Sequence, residues 1–146
     1  MLTVQAKKSP NSLRASGEWF LTGSTVLKET IVGKKKKILK TRSTYDFKGD
    51  FEGKWVGENQ NIEIDLDTGN SKGEESEATF TGSVFGKRGS FRINDKWTVV
   101  DGRIPKSPFR IIKGTGTGAL AKIQGKGSYW GSAEQEKGEY TAWIRF

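Results

Sequence analysis

Residues 90–102 read SFRINDKWTVVDG, and their spacing decides the fold class. Phe91, Ile93, Asp95, Trp97 and Val99 take every second position, with Arg92, Asn94, Lys96 and Thr98 between them. A strand turns successive side chains to opposite faces, so this period of two gathers the first set on one surface. Asp101-Gly102 follows, a pair that tolerates positive φ at both positions and is a strong short hairpin signal. The chain is expected to return through RIPKSPFRIIK (103–113). Pro105 and Pro108 have no amide to donate, so the first half of that strand should be irregular, bulged or at an edge.

Similar signals recur on both sides. Leu13, Ala15, Gly17, Trp19 and Leu21 alternate with Arg14, Ser16, Glu18 and Phe20. Thr41–Lys48 forms a second strand with Ser43, Tyr45 and Phe47 on one face. Gly49-Asp50 turns it into FEGKWVG, after which Ile62, Ile64 and Leu66 oppose Glu63, Asp65 and Asp67. A polar loop over 67–74 leads to a strand at 76–85, and a turn at 86–89 leads to the segment quoted first. A glycine-rich connector, 114–127, carries one short helical turn near 118–123 and precedes two last strands, GSYWGS and EYTAWIRF. Residues 23–40, with their lysine run, break the pattern and are expected to leave the sheet as a long excursion, with an edge strand at 25–32.

About eight strands at this spacing specify a sandwich or a barrel. Closure removes exposed edges, and glycines inside strands (Gly17, Gly53, Gly57, Gly82, Gly131) suit the sharp coiling of a small barrel. The expected fold is all-β: a single eight-stranded antiparallel barrel over 12–146, preceded by a flexible leader, 1–11. No segment reads as a signal peptide or membrane helix, so a cytoplasmic protein is expected.

Composition narrows the chemistry. The chain has 146 residues, 19 glycines, and neither cysteine nor histidine. A disulfide framework, a thiol nucleophile, a Ser-His-Asp triad and the usual zinc ligands are all excluded. No metal and no cofactor are expected. The net charge of +8 raises an anionic partner, and Lys34, Lys35, Lys36, Lys37, Lys40 and Arg42 form the candidate anion-binding patch. No aromatic residue lies between Phe20 and Tyr45 to stack on bases, so a solvated loop is favoured over nucleic-acid binding. Gly114–Gly118 lacks the Lys-Ser/Thr of a phosphate-binding loop and reads as a connector.

Four ordered motifs carry a family resemblance: YDFKGDFEGKWVGE (45–58), ATFTGSVFGKRGSF (78–91), IKGTGTGALAKIQGKGSYWG (112–131) and EYTAWIRF (139–146). With Phe47, Gly49, Asp50, Glu52 and Gly53 in the first, Phe80, Gly82, Gly86, Gly89, Ser90 and Phe91 in the second, and Gly114, Gly116, Thr117, Gly118, Leu120, Gly125 and Gly127 in the third, the chain resembles a bacterial family of small uncharacterised proteins with an allene oxide cyclase-like, calycin-like β-barrel. Members of that family often carry a glutamate two residues before the phenylalanine of the second motif. Ala78 stands there, and the adjacent Glu77 is expected on the opposite face.

The residues leave three functions open. The leading one is a binder of one small, largely apolar molecule in the barrel, with Tyr45, Phe47, Phe91, Trp97 and Tyr140 as candidate ligand contacts. Trp19, Trp55, Trp130 and Trp143 could add to such a lining, although tryptophans are more often core. The resemblance implies a second, a cyclase or isomerase without metal, for which Asp95 and Tyr45 are the candidate acid/base groups. A carboxylate on an apolar strand face can hold its proton near neutral pH. The third is a basic module for nucleic acid or anionic surfaces. Monomer and homodimer are equally open.

Overall fold

The hairpin at Asp101-Gly102 forms as its residues require: φ is +52° and +78° at the two positions, the signature of a type I′ turn, and Val100 pairs with Arg103 across it. The computed structural model describes residues 12–146; the expected leader, 1–11, lies outside the described residues. Eight antiparallel strands follow in chain order: β1 (Leu13–Val32), β2 (Lys36–Gly49), β3 (Phe51–Asp65), β4 (Ser71–Val84), β5 (Lys87–Val99), β6 (Arg103–Ile111), β7 (Gln124–Ser132) and β8 (Lys137–Arg145). Each pairs with the next, and β8 returns to β1, so the sheet is a closed barrel rather than a sandwich. A single 3-10 turn, Gly118–Leu120, interrupts the connector before β7.

Closure rests on tight coiling where β3 crosses β4. Gly53 and Gly82 face each other with φ of +156° and +155°, and a Cβ on either would stand 2.2 Å from a carbonyl oxygen of the other strand. Only glycine admits that approach.

Below this crossing the interior is filled. Phe47, Phe51, Phe80, Phe91, Phe109 and Tyr140 are all buried and in mutual ring contact, with Phe80 and Phe91 stacked at 5.1 Å. The 3-10 turn places Leu120, fully buried, against that end of the core. Its connector also covers the first half of β5, which β6 does not reach: the Thr117 amide donates to the Ser90 carbonyl at 2.9 Å and the Ile112 amide to that of Arg92 at 2.8 Å.

The other end is uneven. β8 pairs with β1 only from Leu13 to Phe20, whereas β1 continues along β2 to Val32. Beyond the barrel, the outer parts of β1 to β5 therefore form a projecting arm, and the outer edge of β1 there has no strand partner among the described residues. This corrects the expected excursion over 23–40: apart from the hairpin tip at 33–35 these residues are paired sheet, while 25–32 does run along an open edge, where an edge strand was expected. Its alternation is blurred by register shifts at Leu21/Gly23 and Val26/Lys28, and little covers either face to demand apolar residues. Leu66, expected to share a face with Ile62 and Ile64, lies past the end of β3 and is exposed. The turn expected at 86–89 is shorter, with Phe85 and Gly86 at positive φ and Lys87 already in β5. In β6, register breaks between Ile104 and Ser107, where Pro105 removes a donor.

Candidate functional site

At the arm end of the barrel the core stops short and leaves a cavity of about 50 Å³ lined by Trp19, Tyr45, Phe47, Trp55, Asp95, Trp97, Ile104 and Tyr129. Trp19 meets Tyr45 and Tyr129 edge-on at interplanar angles of 79° and 74°, and Trp55 meets Tyr129 at 87°. Rings at right angles make the walls of a box. Tyr45, Trp97, Ile104 and Tyr129 are half-buried and form its rim.

One carboxyl group lines the cavity, that of Asp95, and a second stands beside it on the neighbouring strand. Asp95 follows the β5 alternation inward and is 8% exposed; Glu75, its cross-strand partner on β4, is 3% exposed. A register shift between Glu75 and Ala78 lets both of those residues face inward although they lie three apart. Tyr129 donates to Asp95 Oδ2 at 2.5 Å, and the Trp55 indole donates to Glu75 Oε1 at 3.1 Å. Glu75 Oε2 and Asp95 Oδ1, both buried, receive no such donor. The two residues stand opposite each other across the β4–β5 pair, and the charge of one is felt by the other. Neighbouring carboxyl groups resist ionising together, so the arrangement favours a proton on one of them. Burial raises the pKa of both, and for Asp95 the charge of Glu75 raises it further.

A second polar chain runs along the wall. Thr41 donates to Gln60 Oε1 at 3.0 Å, and Gln60 Nε2 donates to the Tyr45 hydroxyl at 3.0 Å. Gln60 is 1% exposed, turned inward by a register shift between β2 and β3. Burial pushes the Tyr45 phenol up to about 12, helped by the charges of Glu75 and Asp95, so it stays neutral with its own proton to offer. Burial likewise raises Tyr129, with the Asp95 charge adding to it.

Glycines clear space for these groups. A Cβ on Gly57 would stand 2.1 Å from Glu75 Oε2, and one on Gly73 would stand 2.2 Å from the Trp97 ring.

Of the candidates read from sequence, Tyr45, Phe47, Trp97 and Asp95 come together at this cavity, as do Trp19 and Trp55. Phe91 and Tyr140 do not line it: both are 1% exposed in the filled half. The Tyr140 hydroxyl instead accepts from the Phe51 amide at 2.8 Å and donates to the Lys48 carbonyl at 2.9 Å, clasping the β2–β3 turn. Trp143 is 37% exposed on the outside, and Trp130 gives the site only its carbonyl, which accepts from the Trp19 indole at 3.2 Å. Glu77 points outward onto Arg92. Sequence reasoning missed Glu75, Gln60 and Tyr129. Gln60 follows a register shift in β3 and Glu75 precedes one in β4, which broke the alternation that would have shown them.

The basic residues lie on the arm, away from the cavity. Lys34 and Lys35 occupy the tip of the β1–β2 hairpin, Lys36 pairs with Glu63 at 3.4 Å, Lys37 with Glu29 at 3.2 Å and Arg42 with Glu58 at 3.0 Å. Lys40 stands opposite Lys28. Among the described residues no three His, Cys, Asp or Glu side chains group to hold a metal ion, and no helix is long and apolar enough to cross a membrane.

The fold and site define a class: a small closed antiparallel barrel, filled at one end and opening at the other into an aromatic cavity with an acidic floor. Residues 22–143 match the family described as "Protein of unknown function (DUF3224)", and the chain belongs to it. A solved structure from Shewanella oneidensis MR-1, described as a protein with unknown function from the same family, is similar to this chain. The likeness has a TM-score of 0.73 at 15% identity and covers 92% of this chain and 98% of the other, a similarity of fold. No curated protein matches the chain.

Proposed function

We propose that the protein binds one small, largely apolar molecule in the cavity at the open end of its barrel. The observation that supports this most directly is the lining itself: indole, phenol and phenyl rings around a small space, with a few polar groups converging at the floor. Binding sites in general combine apolar walls with a small number of placed polar groups. Trp19, Trp55 and Trp97 report on the site, so titration with small alcohols followed by tryptophan fluorescence tests the reading. A saturable change that Trp97→Ala weakens is expected. Absence of any saturable response from the folded protein would reject it.

A second reading, a cyclase or isomerase of the allene oxide cyclase-like type, is favoured by the buried Asp95, which accepts from Tyr129 and stands opposite Glu75. A buried carboxylic acid lining an aromatic cavity is a poised general acid, and its conjugate a base. Under this reading Asp95 exchanges the proton, Glu75 tunes it and Tyr45 orients the bound molecule. Turnover unaffected by Asp95→Asn and Tyr45→Phe would reject those roles.

A further inference from the structure

Asp95 lines the cavity with one carboxylate oxygen buried and without a partner, and Glu75 stands beside it on the neighbouring strand. None of the residues lining the cavity is basic. Toward the aromatic cavity the titratable groups facing the pair are Tyr45 from β2 and Tyr129 from β7, both neutral phenols, whereas Lys96, Arg110 and Lys126 share a separate cavity with the two carboxyl residues. A chain with a net charge of +8 thus sets a carboxyl group, and no basic side chain, in the lining of an aromatic box. Buried charge without a counter-charge is costly, and aromatic faces attract cations.

We infer that the molecule bound here is a small organic cation, a protonated amine whose ammonium group meets Asp95 while the surrounding rings enclose its first methylenes. This rests on the reading of the cavity as a binding site and names the ligand class. Three features select it. The ammonium N–H groups supply a donor for Asp95 Oδ1, which a quaternary ammonium does not. The differently tilted rings of Trp19, Tyr45, Trp55 and Tyr129 offer a cation aromatic faces from more than one side, as in aromatic cages generally. A cavity of about 50 Å³ accommodates a head group, while the half-buried rim at Trp97 and Ile104 lets an apolar tail pass outward. An anionic or bulky polar head would meet repulsion or lose its hydration. When the ammonium arrives, a protonated Asp95 releases its proton to bulk solvent, and its carboxylate then faces the cation.

The test compares n-butylammonium with n-butanol on the full chain, in amine-free phosphate buffer, by tryptophan fluorescence. Butylammonium is expected to saturate at a concentration about tenfold or more below that for butanol. Its affinity should strengthen from acidic to neutral pH as the pair gives up its proton, and that for butanol should stay flat. Asp95→Asn, checked for folding by thermal melting, should abolish the preference, read as the ratio of butylammonium to butanol affinity in the same variant; Glu75→Gln should weaken that ratio. The wild-type pH series carries the test alone if either variant fails to fold. Butanol binding as tightly as butylammonium would overturn the cation inference and leave the binding site standing. An unchanged preference in folded Asp95→Asn, or a flat pH series for butylammonium, would also overturn it. No response to either probe would reject both readings.

Discussion

Gly57 and Glu75 share one space: a Cβ on residue 57 would stand 2.1 Å from the Glu75 Oε2 atom. The Glu75 carboxylate finds buried space because the neighbouring strand carries no side chain there. Gly57→Ala should therefore destabilise the protein by about 1–3 kcal/mol through overpacking. Combining it with Glu75→Ala should cost clearly less than the sum of the two, since the clash then has no second partner. Chemical denaturation of the four proteins in this cycle measures the coupling; additive effects would show that the two residues do not compete.

The raised carboxyl pKa values set the sign of a pH effect. Folded Glu75 and Asp95 hold their protons more tightly than the unfolded chain does, for reasons of burial and, at Asp95, of the Glu75 charge. Unfolding then releases protons, so their contribution is complete below the ordinary carboxylate range and is lost as pH rises toward the elevated folded values. Asp95→Asn should raise the melting temperature at neutral pH and leave a smaller gain in acid. The difference between wild-type and variant melts across pH isolates the pair from other titrations, and a difference that grows toward acid would contradict the assignment.

Tyr140 makes a prediction of the opposite kind. Its hydroxyl satisfies the Phe51 amide and the Lys48 carbonyl inside the filled half. Tyr140→Phe leaves a buried amide without its acceptor and should cost about 1–3 kcal/mol. The fluorescence response to alcohols should be unchanged, because the residue is remote from the cavity. Loss of that response with stability intact would place Tyr140 in the site after all.

The ion pairs of the arm are exposed and predict little. Lys36→Ala and Lys37→Ala should each shift stability by less than about 0.5 kcal/mol. Thermal melts at low and high salt check this, and a larger loss would reveal packing by the lysine stems.

Parity carried most of the fold from sequence to structure. Phe91, Ile93, Asp95 and Trp97 gave the inward face of β5 directly, and Asp101-Gly102 gave its hairpin. Parity also failed where it had to. The three-residue step from Glu75 to Ala78 and the shift that turns Gln60 inward both follow from bulges, and one extra residue reverses every later side chain. The site was half legible for this reason: Asp95, Tyr45 and Trp97 lie on regular stretches, and Glu75 lies just beyond an irregular one. Phe91 and Tyr140 had the right face but the wrong depth, since alternation says nothing about position along the barrel axis.

The unequal lengths of the strands divide the molecule's resistance to opening. From Leu13 to Phe20, β1 is held on both sides, whereas its remaining length hangs on β2 alone. Amide exchange should accordingly grade along this one strand, slowest beside the buried rings and fastest toward Val32. The tip can fray while the acidic floor stays shut, so excursions of the arm need not disturb whatever the barrel holds.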